Sequence, residues 1–134
     1  SNIRERNLTL DMRVEKDLFV KADREEIRRV YTNLLSNAIK YNKEKGRIII
    51  RATAEDNNIK IIFEDTGIGM KEEDKNRLFE EFFRAKNSYT RNVSGTGLGT
   101  TILKKILDEY DGKIEVSSEY EKGSVFTVYL PRAN

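Results

Sequence analysis

The sequence predicts an α+β fold, a two-layer sandwich in which a mixed, mostly antiparallel sheet is covered on one face by three helices. Three observations lead there. First, Ile27, Val30, Tyr31, Leu34, Leu35, Ala38 and Ile39 recur at i, i+3, i+4, i+7, i+8, i+11 and i+12, one apolar face of a long helix. Second, apolar stretches at 48–52 and 59–63, and again at 114–116 and 125–130, flank turn-forming residues and read as two antiparallel hairpins. Third, strands and helices do not alternate strictly, which favours α+β over a wholly parallel sheet.

In chain order, Leu8, Leu10, Met12 and Val14 alternate with Thr9, Asp11 and Arg13, the pattern of a half-buried strand. Leu18, Phe19 and Val20 make a short second strand. Asp23, with Glu26 three residues on, is a capping-box signature that opens the long helix. The basic end near Lys43, with Gly46 beyond it, suits that helix's C-terminus. Asp56, Asn57 and Asn58 turn the first hairpin. Helical character returns over 71–83, and a polar stretch without period follows to 97. Leu98, Ile102, Ile106, Leu107 and Tyr110 mark a helix that ends at Asp111 and Gly112, and the last hairpin turns at 119–123. No repeat, linker or low-complexity tract divides the chain, so a single domain is expected over 1–134.

Bulk composition excludes several chemistries. The chain has 134 residues, 37% hydrophobic and 36% charged, with a net charge of +2. Interspersed charges of both signs give no reason to invoke nucleic acid or a membrane surface. No apolar run approaches the roughly 18 residues that span a bilayer, and no signal peptide is visible. A cytoplasmic module without direct membrane contact is expected, including one cut from a membrane-anchored parent. There is no Cys and no His. A thiolate or imidazole metal site, a cysteine nucleophile and a Ser-His-Asp triad are therefore impossible within these residues. Any metal must be held by oxygen.

Four stretches carry candidate chemistry. The long helix places Asn33 and Asn37 one turn apart, with Lys40 and Tyr41 following on the same strip. Such residues commonly just border a core. Together, however, amide carbonyls suit Mg²⁺, lysine suits phosphate, and a phenol ring suits stacking on a base. Next, Asp65-Thr66-Gly67-Ile68-Gly69-Met70 follows a strand directly. Its plain reading is an Asx turn. Its chemical reading is purine recognition: an ionised carboxylate accepts the adenine amine and repels the guanine carbonyl, a charge-assisted bond worth roughly 1.5–3 kcal/mol. The glycines allow close approach, and Ile68 and Met70 offer apolar contact. Third, Gly95-Thr96-Gly97-Leu98-Gly99 precedes a helix, where backbone N–H groups form an anion site. The dinucleotide and P-loop patterns are disfavoured, because no strand leads into this turn and no Gly-Lys-Ser/Thr follows. Last, Phe79, Phe82 and Phe83 read as core residues. The polar run after them, with Arg84, Lys86 and Arg91, reads as a lid over triphosphate.

Assembled, these stretches resemble the catalytic, ATP-binding domain of a two-component sensor histidine kinase. That family shares its Bergerat (GHKL) fold with gyrase, heat-shock chaperone and mismatch-repair ATPases. The resemblance runs from about Leu8 to Leu130. The motif from Asn33 to Tyr41 resembles the N box, Asp65 to Gly69 the first glycine box, Phe79 to Arg84 the F box, and Gly95 to Gly99 the second glycine box, in family order. It implies an α/β sandwich with ATP between the long helix and the lid. Asn37 would ligate Mg²⁺ and Asn33 would support metal or phosphate. Lys40 and Arg84 would contact phosphate, and Tyr41 would lie against the nucleotide. Asp65 would receive the adenine amine within a turn completed by Gly67, Ile68 and Gly69. Gly95, Thr96, Gly97, Leu98 and Gly99 would present phosphate-binding backbone. Asn33, Lys40 and Arg84 would carry the catalytic part. Gly123-Ser124-Val125-Phe126 matches a hairpin that packs behind the site. The sequence departs from the family pattern at Asn42-Lys43, Lys86 and Thr100-Thr101.

Related ATPases carry glutamate where Asn33 stands. An amide cannot accept a proton at neutral pH, so Asn33 cannot be a general base. The resemblance therefore implies transfer of the γ-phosphoryl group to a histidine on a separate dimerisation domain, with a response regulator further downstream and the isolated domain monomeric. Two other readings stay open at this point: a serine kinase of the anti-sigma type, and a nucleotide-binding regulatory module without transfer activity.

Overall fold

The computed structural model describes residues 7–78 and 98–133, with side chains from 101 onward in the second stretch. In chain order the elements are β1 (Thr9–Val14), α1 (Arg24–Lys40), β2 (Arg47–Glu55), β3 (Asn58–Asp65), α2 (Glu72–Asn76), α3 (Leu98–Glu109), β4 (Lys113–Glu119) and β5 (Gly123–Pro131). The strands form one sheet in the order β1-β2-β3-β5-β4. β1 runs parallel to β2, and the other three pairs are antiparallel. Parallel neighbours need a crossover connection, and α1 supplies it. The mixed, mostly antiparallel α+β sandwich expected from the sequence is the fold observed.

Strand alternation decides what the helices cover. Ile50, Phe63 and Phe126 pair in line across β2, β3 and β5. Tyr31 of α1 meets Phe63 edge to face, with ring centroids 5.6 Å apart. Val30, Leu34 and Ala38 from α1, with Leu103, Ile106 and Leu107 from α3, close the same core over Ile48, Val128 and Leu130. The apolar period of α1 thus points where the sequence indicated.

Four local expectations are corrected. Leu18 to Val20 is not a strand: Val20 makes a single antiparallel bridge to Arg132, next to Asp17 at φ 59°. β1 is not half-buried by alternation. Leu8 is buried, but Leu10, Met12 and Val14 are 36%, 52% and 54% exposed, because β1 is an edge strand whereas α1 packs over β3. α1 ends at Lys40, with Tyr41 as its cap and Lys45 at φ 60°, so Gly46 lies well beyond the stop. The helix expected over 71–83 ends at Asn76, with Arg77 as its cap.

The capping box is also rebuilt. Asp23 Oδ1 accepts from the N–H groups of Glu25 and Glu26, at 2.9 and 3.2 Å. Glu26 does not return the bond. The Tyr110 hydroxyl, just past the end of α3, accepts from the Asp23 N–H at 3.1 Å and donates to Glu26 Oε1 at 2.7 Å. One phenol therefore closes the cap and joins the end of α3 to the start of α1. Glu109 sits beside Glu26, and their shared hydrogen bond pushes the Glu109 carboxyl above its ordinary range. Replacing Asp23 by Ala removes the acceptor for two helix N–H groups. We expect a loss of about 1 kcal/mol, read as a lower urea midpoint with an unchanged slope.

Candidate functional site

The candidate residues converge on one end of α1. Asn33 and Asn37 sit half-buried on its third and fourth turns, and Lys40 is its exposed last residue. Tyr41 is the cap. Its carbonyl, free of any further helical turn, accepts from the Ile68 N–H at 2.9 Å. That bond fastens the turn after β3 to the end of the helix. A Cβ at position 67 would collide with the same Tyr41 carbonyl, so glycine there is a requirement of close approach.

Asp65 is the last residue of β3. Its Oδ1 accepts from the Gly67 N–H at 2.8 Å, so the plain Asx turn is indeed formed. The Ser124 N–H, at the start of β5, also hydrogen-bonds this carboxyl. Burial is the dominant influence: it pushes the carboxyl up from 3.8 to about 6, against the two backbone hydrogen bonds that lower it, while nearby Glu64 raises it further. A half-buried acid that is still ionised at pH 7 is suited to accept hydrogen bonds from a ligand.

The other flank of the turn is held by the β4–β5 hairpin. Gly69 takes φ +64°, and a side chain there would strike the Glu119 carbonyl. The Met70 N–H donates to Ser118 Oγ at 2.8 Å, and Ser118 and Ser124 hydroxyls are 2.8 Å apart. The Glu121 N–H donates to the Ile68 carbonyl. The segment from Gly123 to Phe126 thus packs behind the turn.

Helix polarity places one more component. Tyr110 ties the end of α3 to the start of α1, and the two helices pack together. Leu98 and Gly99, at the start of α3, lie at the end of that helix away from this tie. No acid lies in the first turn of α3, whose N-terminal N–H groups therefore remain suited to an anion. Arg84, Gly95, Thr96 and Gly97 lie outside the described residues, as does the lid. Among the described residues, no cluster of three or more Asp or Glu side chains could hold a metal. The donor set still fits Mg²⁺ held largely by nucleotide oxygens and water, with an amide carbonyl as the protein ligand.

Sequence reasoning missed three contributors. Asn42, Thr66 and Ser124 belong to the scaffold of the Asp65 turn, through bonds to residues far away in sequence. Asn42 and Ser124 are the buried polar residues among those described. A departure from the expected motif at Asn42, and a serine inside a matched hairpin, were the available signals.

Comparison with known proteins agrees with this geometry. A family model described as histidine kinase-, DNA gyrase B-, and HSP90-like ATPase matches residues 22–134. The circadian input-output histidine kinase CikA of Synechococcus elongatus is 35% identical over 126 residues, 92% of this chain and 17% of that protein. The chain spans less than a third of the length of the curated relatives it matches first. Among solved structures, the nucleotide-free catalytic domain of histidine kinase ThkA superimposes with a TM-score of 0.83 at 34% identity, over 97% of this chain and 84% of that one. ThkA in complex with the response regulator protein TrrA gives a TM-score of 0.77 at 31% identity, over 98% and 36%.

The raised pKa of Asp65 carries a stability cost with a defined sign. The folded state resists ionisation, so the cost is absent below pH 3.8, grows towards pH 6, and is complete above it. Asp65→Asn removes the charge. We expect it to raise unfolding free energy at pH 8 by up to about 3 kcal/mol, with the gain vanishing near pH 4. Urea midpoints of both proteins at the two pH values measure it.

Proposed function

The chain belongs to the family of histidine kinase-, DNA gyrase B-, and HSP90-like ATPases, and from that premise we propose that it is the ATP-binding catalytic domain of a sensor histidine kinase. In this reading it binds ATP with Mg²⁺ and presents the γ-phosphoryl group to a histidine on a separate dimerisation domain. The observation that carries the reading is the direct bond between the Asp65 turn and the end of α1. It ties the turn of Asp65, the group this reading assigns to the base, to the end of the helix that carries Asn33 and Asn37.

Each residue then has a role. The Asp65 carboxylate takes the adenine amine, and the backbone of Gly67, Ile68 and Gly69 lines the base. Tyr41 lies against the nucleotide. Asn37 offers a carbonyl oxygen to Mg²⁺, and Asn33 supports metal or phosphate; the ion's contribution is to neutralise phosphate charge. Lys40 and, by likeness of motif, Arg84 meet the phosphates. The start of α3, with the glycine-rich segment 95–99, supplies N–H groups to them. Asn33 has no proton-accepting capacity, so this chain holds and orients the phosphoryl group without activating water. Positioning and charge shielding are most of what phosphoryl transfer needs.

The nucleophile comes from outside, because none of the 134 residues is a histidine. In the transfer, an imidazole nitrogen bonds to the γ-phosphorus as the bond to the ADP oxygen breaks. Similarity to ThkA supports a response regulator as the next phosphate acceptor. No helix among the described residues is long and apolar enough to cross a membrane. In this reading the domain works as a cytoplasmic monomer attached to a larger parent.

The test mixes this chain with ATP, Mg²⁺ and a histidine-bearing helical dimerisation domain. Acid-labile phosphohistidine on the partner is expected. ATP binding without transfer, or acid-stable phosphoserine on a protein substrate, would overturn the reading. Asn37→Ala should weaken Mg²⁺-dependent ATP binding on the order of tenfold or more, and calorimetry with and without Mg²⁺ isolates that effect. Because binding selects the ionised Asp65, ATP affinity should also fall as pH drops below about 6, approaching roughly tenfold per pH unit. Binding below that pH should release a proton, and Asp65→Asn should abolish both effects.

A further inference from the structure

We propose that Asn42 is a positioning residue for base selection: through the Thr66 hydroxyl, its buried amide holds the Asp65–Gly69 turn in register with the helix that carries Asn33 and Asn37. The inference rests on the reading of Asp65 as the adenine acceptor. It concerns a residue that touches no ligand.

Asn42 follows the cap of α1 and is 4% exposed. A buried amide is costly unless its polar atoms are bonded, and here each bond leads somewhere specific. Nδ2 donates to the Arg47 carbonyl at 3.2 Å. Oδ1 accepts from the Lys43 N–H at 2.9 Å and from Thr66 Oγ1 at 3.3 Å. The Thr66 hydroxyl in turn accepts from the Arg47 N–H at 2.8 Å, and the Thr66 N–H donates to the same Arg47 carbonyl at 3.2 Å. Asn42, Arg47 and Thr66 thus close a ring of bonds among the end of α1, the start of β2 and the base turn.

The ring is placed to matter. Thr66 lies between Asp65, whose carboxyl meets the base, and Gly67, whose N–H orients that carboxyl at 2.8 Å. Any rotation at Thr66 carries both with it. Room for the amide is built in: a side chain at Gly46 would strike Asn42 Oδ1. The Ile68–Tyr41 bond ties the turn to α1 through backbone alone, and the β4–β5 hairpin holds its far flank at Ile68 and Met70. The Asn42–Thr66 bond adds a side-chain link from the residue after the α1 cap to the position between Asp65 and Gly67.

Calorimetric affinities for ATP and GTP test this in the wild-type chain, Asn42→Ala, Thr66→Val, their combination, and Thr66→Ser. The expected result is a loss of ATP-over-GTP preference of roughly tenfold in Asn42→Ala and in Thr66→Val, the scale of one hydrogen bond to a charged or buried partner. The double variant should lose no more preference than Thr66→Val alone, because Asn42 acts on the turn through the Thr66 hydroxyl. Thr66→Ser keeps the hydroxyl and should keep the preference. A lowered melting temperature with unchanged nucleotide preference in the folded variants would reduce Asn42 to a purely structural residue and overturn the proposal. If Asn42→Ala does not fold, Thr66→Val decides alone. Asp65→Asn separates the two levels. If it abolishes the preference while Asn42→Ala and Thr66→Val do not, only the role of Asn42 fails. If it too leaves the preference intact, the base-recognition reading falls, and this inference with it.

Discussion

A carboxyl group drawn partly out of water at the end of β3 governs the design of this domain. Asp65 is costly where it stands, since burial outweighs the two backbone N–H groups that favour its charged form. A fold selected for stability alone would place an amide or an apolar residue there. Keeping the acid demands compensation from several directions. Gly67 and Ser124 give hydrogen bonds, and the end of α1 and the β4–β5 hairpin hold the turn from its two flanks. The surrounding glycines follow from the same demand, because backbone must come within contact distance of Tyr41 and Glu119.

α1 is the strut that makes this arrangement consequential. Its first turn is locked by Asp23 and by the Tyr110 hydroxyl from the far end of α3. Its last turn is locked to the Asp65 turn through Tyr41 and Asn42. Between the two locks, Val30, Leu34 and Ala38 are buried in the core. A helix held at both ends and along one face has little freedom to rotate. The amides of Asn33 and Asn37 are therefore presented at a fixed height and angle relative to the carboxylate. The Tyr110 lock has a second effect: it fastens the end of α3 to the start of α1.

How much of this was legible in the sequence depended on the range of the interaction concerned. The apolar period of α1, the two hairpins and the Asp23 cap are written in neighbouring residues, and each was found. The glycine pattern around Asp65 was likewise local enough to read. What escaped was non-local. Nothing near Glu26 announces that a tyrosine 84 positions later takes over its half of the capping box. Nothing near Leu10 or Met12 tells that their strand lies at an edge, so alternation suggested burial that the sheet order denies. Asn42 looked like a deviation from a motif, and only the fold shows Thr66 and Arg47 gathered around it. The segment with the second glycine motif and Arg84 lies outside the described residues, apart from the backbone at the start of α3.

The amide at Asn33 gives the site its chemical character. In the proposed ATP site, a carboxylate at this position would serve as a base for water. On the proposed function, an amide there would leave the nucleotide bound and its phosphoryl group oriented but unattacked. Such a site gains from rigidity, since nothing in it must move to take up a proton. It also depends wholly on a nucleophile delivered from outside, for the chain has no histidine to offer. Rigid presentation by α1 and selective capture by the Asp65 turn then become one requirement: the incoming group meets a phosphoryl whose place was set by the base at the far end of the nucleotide. On this view the bonds through Tyr41 and Asn42, which join the two half-sites, matter to the transfer as much as the residues that touch ATP.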